Sequence, residues 1–279
     1  MNQLSQERRV RVVAALDGRQ QHPLHGPHDR GCQEHGGKAA GRTKLGTACA
    51  RHHDETVRGL RSERIQADEV WSFVYAKAKN LPADKKGVYG YGDAWTWTAM
   101  DADSKLMISY MIGPRTPPMA CELMKDPSFR IASTRPQLTT DGLPWYAQAV
   151  EYVFGIDVDY ATVEKHFGVV GGDKTAATRY SPAKVTGVRR AVVCGAPDSK
   201  HVSTSYVERQ NLTMRMGMRR FTRLTNAFSK KLANLEAAVT LHFTYYNFAR
   251  VHQTLRVTPA MEAGVSDHVW SLAEIVALL

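Results

Sequence analysis

The sequence predicts an α/β fold preceded by a poorly structured N-terminal segment. Three observations predict it. From Arg64 onward, short apolar strand patterns alternate with helical ones. Near the C-terminus, two segments carry apolar stripes at helical spacing. Between residues 17 and 44, by contrast, Leu24 is the only large aliphatic residue and no aromatic occurs.

Residues 4–16 read as a short helix, with Arg8, Arg9 and Arg11 among Val10, Val12, Val13, Ala14 and Leu16. Residues 17–44 are dominated by Gly, His, Gln, Arg and Lys, a composition that cannot build a core and predicts loop or disorder. His22, His25, His28, Cys32 and His35 are closely spaced there, but the stretch has no aliphatic scaffold to fix them around a metal. Ordinary patterning resumes near Leu45.

Residues 65–74 read as a strand. Residues 94–100 and 106–112 read as two more, joined in a hairpin by the polar turn Asp101-Ala102-Asp103-Ser104. Pro117 and Pro118 open a helix through residues 119–125. Residues 137–140 form a short strand ending at Asp141-Gly142, and residues 145–154 a helix closed by Gly155. Residues 158–160 read as a further strand. Residues 168–200, rich in Gly, Pro and Lys, read as an irregular excursion. A helix then begins near Ser205, with Val207, Met214, Met218 and Phe221 on its buried face and Glu208, Asn211, Arg215 and Arg219 on another. A second runs from about Ser229 to Tyr246 on a stripe of Leu232, Leu235, Val239, Phe243 and Tyr246.

The bulk numbers bound the function. The 279 residues are 43% hydrophobic, enough for one large core or a modest core with a small appended domain. Lys and Arg number 37 against 27 acids, and the net charge of +10 suits a polyanion, nucleic acid before membrane. Cys32, Cys49, Cys121 and Cys194 are far apart and form no CxxC pair, which argues against a zinc ribbon or disulfide framework and fits a reducing cytosol. No apolar run approaches the roughly 18 residues of a spanning helix. A soluble, cytoplasmic chain with no membrane partner is expected.

Three acids stand on separate predicted elements: Asp68 in a strand, Asp141 at a strand end, Glu208 in the first turn of a helix. If the fold brings them together, they form the oxygen-rich set that holds two Mg²⁺ ions about 4 Å apart in phosphodiester chemistry. Each also has a plain structural reading. Asp68 is a strand-end acid, with Glu69 the better candidate. Asp141 starts an Asp-Gly turn. Glu208 closes a capping box with Ser205. The residues alone leave these alternatives open.

Local strings go further. IQADEVWSFV, QLTTDGLPWY and STSYVERQNLTMRMGMRRFTRLTNAFSKK resemble insertion-sequence transposases of the DDE class, nearest to the family of the first bacterial insertion sequence. YYNFARVHQTLRVTPA resembles the ending of many DDE integrase-like domains. The resemblance spans about residues 45–279. It implies an RNase H-like mixed sheet flanked by helices, with Asp68, Asp141 and Glu208 catalytic and binding Mg²⁺ or Mn²⁺, two ions. It implies cleavage of double-stranded DNA at transposon ends followed by transfer of the freed 3′-hydroxyl to target DNA. It also implies a homo-oligomer on DNA in the nucleoid. The domain division that follows is an N-terminal region (1–60), a catalytic domain (61–265) and a C-terminal tail helix (266–279).

Seven basic residues and no acid lie between positions 209 and 231: Arg209, Arg215, Arg219, Arg220, Arg223, Lys230 and Lys231. Arg215 and Arg219 share the predicted face of Glu208, so phosphate contacts beside the acids are expected. Asn211 and His252 are further candidates for that surface. Family members carry a helix-turn-helix before the catalytic domain, and none is visible here. Regrouping one base along the codons permitted by residues 18–44 yields Ile, Val, Met and Leu at helical spacing. The expectation is a remnant helix-turn-helix translated out of frame. Two other readings compete: a non-catalytic DNA-binding relic or regulator, and a different RNase H-like nuclease.

Overall fold

The computed structural model describes residues 32–168, 184–222 and 225–279. The expected helix at residues 4–16 and the histidines at 22, 25 and 28 lie outside the described residues. The elements are α1 (Cys32–Thr56), β1 (Arg64–Val74), β2 (Gly92–Asp101), β3 (Met107–Gly113), α2 (Pro117–Arg130), β4 (Gln137–Asp141), α3 (Pro144–Phe154), β5 (Asp159–Gly168), β6 (Lys184–Cys194), α4 (Ser205–Gly217), α5 (Leu232–Thr244), α6 (Pro259–Glu262) and α7 (Leu272–Ala277).

The strands form one mixed sheet in the order β3-β2-β1-β4-β5-β6. The β1–β2–β3 meander is antiparallel, β4 and β5 run parallel to β1, and β6 returns antiparallel at the far edge. Helices cover the sheet, as expected for an RNase H-like fold. Side chains of β1 alternate between its two faces. Ile65 and Ala67 join a core with Leu123 and Met124 of α2 and Tyr146, Ala149 and Val150 of α3. Val70 and Val74 join the opposite core with Val207 and Met214 of α4 and Leu235, Val239 and Phe243 of α5. Val207, Met214, Met218 and Phe221 are all buried as expected, but α4 ends at Gly217, so Met218 and Phe221, with Arg219, follow the helix rather than continue its face.

Four expectations need correction. Residues 32–44 are helical rather than loop, forming the first half of α1. The second half holds the helix in place. Leu45 and Cys49 pack with Leu241, Ile275 and Val276, and His53 reaches Ile108. Gly46 lets α1 cross α5 closely, because a Cβ there would stand 2.7 Å from Ala237. The supposed irregular excursion contains strand β6, where Val185, Thr186, Val188, Val192 and Val193 supply β-branched residues and Gly187 is the one glycine. The strand expected at 158–160 runs on to Gly168 because β6 pairs with it. The second C-terminal helix starts at Leu232, ends at Thr244 and continues as one π-helical turn, Tyr245–Ala249.

That turn lies in the string resembling DDE endings, and its role is structural. Asn247 accepts from the Met107 amide and donates to the Met107 carbonyl, both at 3.0 Å, while Phe248 enters the core. This pairing satisfies the β3 backbone where the β2–β3 register shifts. At the C-terminus, α7 opens with a reciprocal capping box between Ser271 and Glu274 and packs beside α1. Arg130 ties α2 to the end of α1. Its buried guanidinium meets Asp54 and Asp126 and the carbonyls of His53 and Val57.

Candidate active site

Ala67 of β1 pairs with Thr140 of β4 in parallel register. The next positions along the two strands are Asp68 and Asp141. Adjacent parallel strands in register put both side chains on one face of the sheet, at the carboxyl end of β4, where open α/β sheets gather their chemistry. Carboxylate oxygens of Asp68, Glu69 and Asp141 lie within 4.8 Å of one another, the only such group of potential metal ligands among the described residues.

Each acid is held differently. The backbone carbonyl of Asp68 accepts from Thr98 Oγ1 at 2.9 Å, and its carboxylate Oδ2 accepts from the Asn211 amide of α4 at 2.7 Å. Asp141 Oδ1 accepts from the Leu143 backbone amide at 3.1 Å, so the Asp-Gly turn and the candidate ligand are one structure. Glu69, the third member of this group, is held by other partners. It accepts from Arg115 Nε and Nη2 at 2.8 and 2.6 Å and from the Tyr146 hydroxyl at 2.8 Å. Arg115 in turn stacks on Trp95, 4.7 Å from the ring centre.

The electrostatics follow from this crowding. Burial, then the charges of Glu69 and Asp141, push Asp68 up to about 7 against the pull of the Asn211 amide. Burial and the Glu69 charge push Asp141 up to about 6, Glu208 adding to the rise, while the Leu143 amide and Arg115 work against it. Burial and the same carboxylates drive the Tyr146 hydroxyl well above its ordinary range, which keeps it a donor to Glu69.

Glu208, expected as the third ligand, is not in that group; it is near enough for its charge to raise Asp141 but is engaged elsewhere. Its carboxylate accepts from Lys165 of β5 and, at 2.6 Å, from Thr204 Oγ1. The expected capping box with Ser205 is absent. Ser205 is already the first helical residue, and Gln66 of β1 accepts instead from the Tyr206 and Val207 amides at 2.9 and 3.2 Å. A strand side chain thus caps α4 and seats it over Asp68.

The structure divides the expected DNA-contacting residues. Arg209, Arg215, Arg219, Lys230 and Lys231 are exposed. Asn211 is buried and turned to Asp68. Arg220 turns inward, donating to Ser229 Oγ at 2.7 Å and to the Asn234 carbonyl at 3.0 Å, and burial lowers its guanidinium to about 10. Arg223 lies outside the described residues, and His252 is partly buried near the C-terminal segment. Beyond the expected set, Gln66, Arg115, Tyr146 and Lys165 shape the site. The available signal was polar Gln66 and Glu69 in a strand whose pattern is buried, since buried polar groups need partners.

A divalent cation suits this cluster. The donors are carboxylate oxygens, two neighbouring acids resist ionising together, and the buried Asn211 Oδ1 has no hydrogen-bond partner. Such an acceptor beside carboxylates matches a water bound to a cation.

No protein-family model matches the chain, and no curated protein matches it. Among solved structures, it is similar to the piggyBac transposase synaptic complex with hairpin DNA, at 11% identity and a TM-score of 0.34, covering 95% of this chain and 74% of that one. It is also similar to a pre-cleavage Mos1 transpososome, at 14% identity and a TM-score of 0.22, covering 50% of this chain and 46% of that one. At these identities no residue is carried across.

Proposed function

We propose that the chain is a DDE-class insertion-sequence transposase that cuts DNA at transposon ends and joins the freed 3′-hydroxyl to target DNA. One observation carries this reading. Asp68 and Asp141 stand one step beyond a parallel register pair, on one sheet face, with their carboxyl oxygens within 4.8 Å of each other and both groups resisting ionisation. Asp68, Asp141 and Glu208 would hold two Mg²⁺ or Mn²⁺ ions. When bound, these supply an activated water or 3′-hydroxyl and stabilise the leaving oxygen.

The remaining work belongs to the chain. Asn211 fixes the Asp68 carboxylate, and its free Oδ1 orients a water in the site. Glu208 joins the set once Lys165 exchanges it for a DNA phosphate. Arg209 and Arg215 on α4, with Arg219, Lys230 and Lys231 beyond it, hold the duplex by its backbone. A homo-oligomer bridges the paired ends. The out-of-frame reading of residues 18–44 adds that end recognition is weak in this copy. Coding DNA whose codons cannot be regrouped into an amphipathic pattern overturns that addition.

The Lys165–Glu208 pair also favours a second reading, a DNA-binding relic whose third acid is permanently neutralised. A cleavage and strand-transfer assay separates the two, using DNA from the gene's own flanks with millimolar Mg²⁺. The transposase reading expects products from the wild type and at least a hundredfold loss in Asp68→Asn, Asp141→Asn and Glu208→Gln. Equal product from all four proteins overturns it. Cut ends that never join target DNA point instead to an RNase H-like nuclease.

A further inference from the structure

The connection between β1 and β2, residues 75–91, contributes Lys77, Lys79, Lys85 and Lys86 against the single acid Asp84. Its rings face outward: Tyr89 is 76% exposed, and Tyr75 and Tyr91 are also exposed. Lys85 lies 5.2 Å from the centre of the Tyr75 ring and 5.7 Å from that of Tyr91, and Lys77 lies 5.5 Å from Trp71. The aromatic bed presents these ammonium groups on a shaped surface.

The connection is joined to the second basic segment. The Tyr75 amide donates to the Ser229 carbonyl at 2.7 Å, Val74 bridges Ser229, and the Phe73 ring packs tilted against Phe228 at 5.3 Å. Exposed Lys230 and Lys231 follow Ser229 directly. The patch also lies on line with the acids. Gln66 meets the start of α4, Asn211 meets Asp68, and Met214, Met218 and Phe221 pack with Val70 and Val74. β1 and α4 therefore run side by side from the acids toward the patch, and Arg209, Arg215 and Arg219 mark the exposed side of that path. Val74 is six residue steps along the strand from Asp68, about 20 Å at 3.3 Å per step. That distance is roughly six base pairs of duplex at 3.4 Å each.

We infer that the β1–β2 connection, with Lys230 and Lys231, is a clamp on the backbone of duplex DNA about six base pairs from the scissile phosphate. The occupant is a polyanion because, with Asp84 paired to Lys85 at 2.7 Å, the patch still carries Lys77, Lys79 and Lys86 and no further acid. It is duplex DNA because the patch continues the α4 arginine path out of the site. This inference rests on the proposed DNA chemistry of the acids and extends it to a second contact.

The test measures binding of full-length protein to a labelled 30-base-pair duplex by fluorescence anisotropy in EDTA, across a salt series. The Lys77→Ala/Lys79→Ala/Lys85→Ala/Lys86→Ala variant is expected to lose at least tenfold in affinity at low salt. Its log–log salt slope should shrink by about three to four, near 0.9 per lost phosphate contact. Lys79→Glu/Lys86→Glu leaves the ring-packed lysines in place and should lose affinity in the same direction. Lys125→Ala/Lys200→Ala should bind as the wild type does. An unchanged slope in both patch variants, or an equal loss in the control, overturns the clamp. So does a loss seen on a labelled 30-nucleotide single strand but not on the duplex. Because binding is read without metal, failure here is distinct from failure of the transposase reading, which shows as absent metal-dependent cleavage.

Discussion

The Asn211 amide of α4 donates to Oδ2 of Asp68 in β1 across 2.7 Å, although 143 positions separate the two in sequence. Through it a helix orients a carboxylate that stands on the sheet. Outer partners of this kind typically change metal affinity by about 10–100-fold when removed. Asn211→Ala should therefore weaken Mn²⁺ binding, measured by calorimetry, by roughly that factor, and Asn211→Asp should not restore it, because it loses the donor to Asp68 and sets a fourth carboxylate beside Asp68, Glu69 and Asp141. Mn²⁺ affinity unchanged in Asn211→Ala would remove Asn211 from the site.

Asp68 should cost the metal-free protein stability at neutral to alkaline pH. Its folded value of about 7 lies above the ordinary 3.8, so the folded state binds the extra proton between these values. Its contribution is most favourable below about pH 4 and is lost as the pH rises through about 7. In EDTA at pH 8, Asp68→Asn should melt higher than the wild type, by an equivalent of about 1–3 kcal/mol. Near pH 4 the gain should vanish. His53 acts in the opposite sense. Burial, then Arg130, lowers it to about 4, so its contribution is complete above pH 6.5 and is lost as the pH falls toward 4. With Asp68 and Asp141 both changed to Asn, this acid sensitivity should emerge in the melting curves. A double variant as acid-tolerant as the wild type would contradict the assignment.

Arg215 and Arg220, five residues apart, should behave as different kinds of residue. Arg215 is exposed, and Arg215→Ala should leave the melting temperature unchanged while lowering the salt slope of duplex binding by about 1. Arg220 holds Ser229 and the Asn234 carbonyl, and Arg220→Ala should destabilise by about 1–3 kcal/mol by stranding those partners. Denaturation and anisotropy on the same two variants check both halves. An unchanged melting temperature for Arg220→Ala would return it to the DNA surface.

Gly46 sets the approach of α1 to α5. A Gly→Ala change in a helix interior gains about 1 kcal/mol of propensity. Here the added methyl would stand 2.7 Å from Ala237 Cα and Cβ, within the backbone of a packed helix. Overpacking of this kind costs about 1–3 kcal/mol, so the steric term should win and Gly46→Ala should lower the urea midpoint. A raised midpoint would mean that the two helices separate without cost.

The elements that periodicity resolved in the sequence were those whose pattern is local. The β1 to β3 meander, β4, α3 and the buried stripe of α4 follow from alternation, turn residues and 3.6-residue spacing, which act over a few neighbours. The strings around Asp68, Asp141 and Glu208 likewise singled out the three acids and the basic segment beside them. Contacts between distant residues decided the rest. Helix α1 extends into a polar stretch because Leu45, Gly46 and Cys49 dock on α5 and α7, and β6 forms because β5 offers it an edge. Asp68 and Glu69 are neighbours with equal chemistry that both come within 4.8 Å of Asp141, and only the packing gives Asn211 to the first and Arg115 and Tyr146 to the second. Asn211, read from the sequence as a surface residue, is buried by the same packing. Local preference acts through the chain, whereas burial and charge act through space, so the acids were legible one by one and their shared environment belonged to the tertiary structure.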